Sequence, residues 1–134
     1  MKFFKNITDY VSSMKDDINY IRKAKPYLSV LKDKEFTQEI VRSHFSEFDK
    51  DDQARILMLT ITAIYNYEDK NVSIKRLEDL MIELFDIDYD DYKYFINTVT
   101  EENYDTKVKS ILDGPEGSLV NDIVVFALNY FRKY

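Results

Sequence analysis

The sequence predicts an all-α protein: a compact, single-domain bundle of six to eight helices around one buried central helix. Three observations carry this. The chain has 134 residues but only two glycines and two prolines, too few for the tight turns that a sheet protein of this size requires. Hydrophobic residues make up 45% of it and charged residues 33%, enough for one core and a charged coat. Apolar residues recur at steps of three and four along most of the chain, the period of a helical face. Residues 1–134 read as one domain, because either half alone would bury too little surface to be stable.

The first helix is expected from about Thr8 to Lys25, with Ile7, Tyr10, Val11, Met14, Ile18 and Ile21 on one face. Pro26 ends it or opens the next turn, since proline fits the first helical position. Thr37 is placed as the N-cap of a helix carrying Ile40, Val41, His44, Phe45 and Phe48, with Glu39 in the first turn, where the dipole favours an acid. Asp49-Lys50-Asp51-Asp52 interrupts the pattern and caps the following helix. That helix, about 51–67, is apolar nearly all round, which predicts burial on most sides. Thr60 and Thr62 are compatible with burial because a threonine hydroxyl can bond a carbonyl of the preceding turn.

Ser73 caps a helix with Ile74, Leu77, Leu80, Met81 and Leu84 on its face. Asp88 caps another, with Tyr89, Tyr92, Phe95, Ile96 and Val99. A seventh is expected from about Tyr104 to Leu112, then a turn at Gly114-Pro115-Glu116-Gly117. Ser118 is the expected cap of the last helix, with Leu119, Ile123, Phe126, Ala127 and Tyr130 on one face.

Several chemistries lack their residues. There is no cysteine, so disulfides, thiolate nucleophiles and cysteine-ligated zinc are excluded. His44 is the only histidine, and its spacing with Ile40, Val41 and Phe48 places it at the core border rather than in a catalytic set. The two glycines flank a proline without a following lysine, so no phosphate loop forms. Asp86, Asp88 and Asp90 alternate as calcium-loop ligands do, but Asp91 stands where the loop needs glycine and Asn97 where it needs glutamate. No nucleophile, base and oxyanion set can be assembled, so the expectation is a protein that is not an enzyme and holds no cofactor or metal. The opening residues Met1 to Asn6 have no secretory apolar run, and no segment has the roughly 18 apolar residues of a membrane span, which leads to a cytoplasmic expectation without membrane contact.

The formal net charge is −6, and one stretch, 83–105, contains eight acids against the single base Lys93. That sign disfavours nucleic acid. A solvated face with helix caps is one reading of the stretch. The other is a docking surface for a protein partner, including a basic one, formed by Asp86, Asp88, Tyr89, Asp90, Asp91, Tyr94, Glu101, Glu102 and Asp105, with tyrosines as anchors that lose little entropy on binding. A homodimer would cover any of the 11 tyrosines and 9 phenylalanines that so small a core leaves outside.

The run Leu57 to Ile64, the acidic turn Tyr67-Glu68-Asp69-Lys70, Val72, the helix Leu77 to Leu84, then Phe85-Asp86-Ile87-Asp88 and a helix with Tyr92 and Phe95 resembles TerB-like domains of the tellurite-resistance and stress-response type. The opening Phe3-Phe4-Lys5-Asn6-Ile7 is similar to starts in that family. The resemblance implies a non-enzymatic interaction module in a stress or defence setting. It covers about residues 54–95, and the family's acid-glycine turn, proposed to bind metal, has no glycine here. An apolar helix surrounded by amphipathic ones is also similar to viral Bcl-2-like proteins, whose tryptophan-glycine-arginine signature this chain lacks. A different expectation, drawn from the charge, is a small acidic inhibitor of the toxin-immunity or anti-defence kind that blocks a basic nucleic-acid-binding enzyme through 83–105.

Overall fold

The computed structural model describes residues 37–68, 72–98 and 108–133. The helix expected over Thr8 to Lys25, the short apolar segment after Pro26, and Glu101, Glu102 and Asp105 lie outside these residues. Within them the fold is all-α, with no strand. Helix α1 is Gln38–Glu47, α2 is Lys50–Tyr67, α3 is Ile74–Phe85 and α4 is Tyr89–Thr98. Residues 108–113 are helical, and α5 is Gly117–Lys133.

The helix starts follow from their caps. Thr37 Oγ1 accepts from the Ile40 N–H at 3.3 Å, Asp49 Oδ1 from the Asp52 N–H at 2.8 Å and Ser73 Oγ from the Arg76 N–H at 3.2 Å. Each satisfies one of the donors that a helix start leaves without an internal partner. The last helix departs from expectation. It begins at Gly117 rather than after Ser118, and its first backbone bond runs from the Val120 N–H to the Glu116 carbonyl. The reason is the tight corner at 114–117: a Cβ on Gly117 would lie 2.0 Å from the Leu112 carbonyl oxygen. Glycine lets α5 start flush against the end of segment 108–113.

Helix α2 is the centre of the bundle. Ala54 and every residue from Ile56 to Tyr65 are buried. Thr60 and Thr62 donate their hydroxyls to the Ile56 and Met58 carbonyls at 2.8 and 2.7 Å, so each hydroxyl proton is satisfied within α2 itself. Helix α2 packs mainly against α4 and α5, while α1 packs on α3. Phe45 of α1 stacks on Phe85 of α3, with ring centroids 4.3 Å apart, and meets Phe95 of α4 edge-on at 6.2 Å. Val120, Ile123, Val124, Ala127 and Leu128 of α5 complete the same core cluster. Among the described residues no helix is long and apolar enough to cross a membrane.

Candidate docking surface on the fourth helix

Helix α4 owes its position to one cap and three anchors. The Asp88 carboxylate accepts from the Asp91 N–H at 2.7 Å, and the Asp88 carbonyl accepts from the Tyr92 N–H at 3.0 Å. Tyr92, Phe95 and Ile96 are buried. Burial, reinforced by the charges of Glu78 and Tyr89, pushes the Tyr92 phenol well above the ordinary tyrosine range. The rest of the helix surface faces outward. Tyr89 and Tyr94 are 44% and 49% exposed, the exposed large hydrophobic side chains among the described residues. At about 100° per residue they lie roughly 140° apart around the helix. Asp90, Lys93 and Asn97, all exposed, fall between them.

The charges of this arc are mixed. The Lys93 ammonium lies 4.9 Å from the Tyr89 ring centroid, and the Lys50 ammonium lies 5.6 Å from that of Tyr94. Lys50 also approaches Asp91 Oδ1 at 4.0 Å. Of the aspartates, Asp88 is a cap, while Asp90 and Asp91 occupy the first turn, where the helix dipole favours negative charge. Asp86 ends α3 in the left-handed region at φ 55°, the one positive φ among the described non-glycine residues. Asp86, Asp88 and Asp90 are therefore two helix boundaries and a helical first turn, a geometry that does not wrap an ion as a calcium loop does. Asp86, Asp88, Tyr89, Asp90, Asp91 and Tyr94 do come together at the α3–α4 corner and along α4.

Glu83, the first acid of the stretch, belongs to the scaffold. Its carboxylate accepts from the Tyr130 hydroxyl of α5 at 2.6 Å, and its carbonyl accepts from Arg42 at 2.7 Å and Gln38 at 3.2 Å, both of α1. Glu68 is similarly committed: its Oε1 accepts from Arg132 Nε at 2.7 Å, with the guanidinium over the Tyr67 ring at 4.2 Å. At the neighbouring residue of α5, Arg76 donates to the Phe131 carbonyl at 3.2 Å and lies over its ring.

Glu78 belongs to no motif of the sequence, yet it is the most buried acid described. It is 4% exposed, its Oε1 lies 3.6 Å from Lys75 Nζ, and its buried Oε2 has no hydrogen-bond partner among the described residues. A signal existed: position 78 falls four after Ile74 and three before Met81, on the apolar stripe of α3. His44 is part-exposed on α1, with Nδ1 3.8 Å from Glu47 Oε2. Among the described residues no group of three or more His, Cys, Asp or Glu side chains could hold a metal. Compared with known protein families, curated proteins and solved structures, the chain matches none.

Proposed function

We propose that this chain is a non-enzymatic protein-interaction module, of the stress or defence kind that the TerB-like resemblance implies, and that it docks its partner on the outer arc of α4. The observation behind this reading is that Tyr89 and Tyr94 stand exposed on one helix while the other large apolar side chains described are buried or half-buried. Tyrosine offers a rigid aromatic body with a polar tip, a common anchor at interfaces. The acids around it support a narrower second reading, an inhibitor that occupies the basic groove of a nucleic-acid-binding enzyme.

The test is a pull-down from the native cell extract with wild type, a Tyr89→Ser/Tyr94→Ser double variant and an Asp86→Asn/Asp90→Lys double variant. Asp88 stays untouched in all three, because changing it would remove the cap of α4. The module reading expects a protein that the tyrosine variant loses and that rebinds wild type when purified. Retention of every captured protein by the tyrosine variant refutes it. A nucleic-acid enzyme that is released by moderate salt and by the aspartate variant, and is inactive when bound, selects the inhibitor reading.

A further inference from the structure

Around Tyr94 the chain holds a cation of its own. Lys50, the first residue of α2, brings Nζ to 4.0 Å from Asp91 Oδ1 and 5.6 Å from the Tyr94 ring centroid. Both distances are at the outer edge of an effective contact. The Lys50 side chain is 67% exposed, and its ammonium sits at a helix N-terminus, where the dipole opposes positive charge. Lys50 is thus a weakly held occupant. Asp90 and Asp91 precede Tyr94 by four and three residues, so their carboxylates rise on the same side of the helix as the ring. Tyr94 is 49% exposed and meets Phe95 in an edge-on geometry, with ring centroids 5.9 Å apart.

An open aromatic face flanked by two carboxylates suits a planar guanidinium, which can stack on the ring and hydrogen-bond the acids together. We propose that Tyr94, Asp90 and Asp91 form a receptor for an arginine side chain of a basic protein partner, and that Lys50 fills this receptor in the free chain. The inference rests on α4 being the docking surface and adds the chemistry of the partner. A nucleic-acid backbone is repelled by the same carboxylates.

The probe is a short capped peptide of alternating glycine and arginine, with a glycine–glutamate peptide as control, titrated into the full chain and followed by amide chemical shifts. The arginine peptide should shift amides of residues 89–94 and around Lys50, and the glutamate peptide should not. Lys50→Ala uncovers the ring, whereas Lys109→Ala, an exposed lysine on segment 108–113, removes the same charge elsewhere. The first should tighten binding by about two- to five-fold, the range of a surface cation–π contact, and clearly more than the second. Tyr94→Ser should erase the gain from Lys50→Ala. Shifts scattered over the surface, or equal gains from both lysine variants, would reduce the effect to net charge and overturn the receptor. If the arginine peptide fails while a cell-extract partner is still lost from the tyrosine double variant, the docking surface stands and only the arginine receptor is refuted.

Discussion

Replacing Gly117 by alanine tests the corner that seats α5 on α2. The added Cβ would lie 2.0 Å from the Leu112 carbonyl oxygen and 2.8 Å from its carbon, both backbone atoms, where ordinary contact begins near 3.4 Å. No side chain can rotate out of the way, so segment 108–113 or the start of α5 must move by more than ~1 Å. Overpacking of this sort destabilises by about 1–3 kcal/mol, and a backbone obstacle belongs at the upper end. The better helix propensity of alanine and its stiffer unfolded chain return at most about 1 kcal/mol. The expected net loss is roughly 2 kcal/mol, or about 5–10 °C in melting temperature for a chain of this length. Gly114→Ala is the internal control. Its Cβ would meet Ser110 and Ile111 carbonyl oxygens at 3.1 and 3.3 Å, a gap that a few tenths of an ångström relieve. Neither glycine has a positive φ, so backbone conformation does not separate the two. Thermal melts and urea titrations should show Gly117→Ala clearly below wild type and Gly114→Ala within about 0.5 kcal/mol of it. A Gly117→Ala protein that melts at or above wild type would refute the close approach.

Leu59→Ala, at a fully buried position of α2, should lose about 2–5 kcal/mol in urea unfolding. Asp88→Ala should lose about 1 kcal/mol by removing the cap of α4, whereas Asp86→Gly should gain a few tenths to about 1 kcal/mol, since it relieves a left-handed aspartate and removes an acid from a helix C-terminus; unfolding curves of the two variants should move in opposite directions. Tyr92, whose folded pKa is raised, binds its proton more tightly folded than unfolded, so its contribution is complete below the ordinary value of 10.0 and declines as pH rises beyond it. Stability measured between pH 8 and about 11.5 should therefore fall less steeply in Tyr92→Phe than in wild type.

The legible part of the fold was local. Thr37, Asp49, Ser73 and Asp88 act within three residues of themselves, and each caps the helix whose start it marks. The all-round apolarity of α2 could mean only burial. The parts that stayed hidden depend on distance in the chain. Glu83 reads as one more acid of a charged stretch, yet its partner Tyr130 is 47 positions away. Lys50 and Tyr94 meet across the α2–α4 contact, which no spacing rule announces. The start of α5 is set by the Leu112 backbone, and a serine one residue on is a plausible cap only while that backbone is out of view. Tyr89 falls at helical spacing with the buried Tyr92, Phe95 and Ile96, so its exposure was not legible, whereas Tyr94 lies off that stripe. The lysines lying over their rings were not legible either.

The burial of α2 has a consequence for how the chain is made. An isolated helix with no polar face finds no favourable environment in water, and among the described elements the two that pack most on this one, α4 and α5, both follow it in sequence. During synthesis α2 leaves the ribosome before either. The part of its Ile, Leu and Met surface that α5 covers waits until α5 emerges and docks, which couples α2 to the last helix described. Truncation before α5 should therefore yield an aggregating chain rather than a smaller folded one.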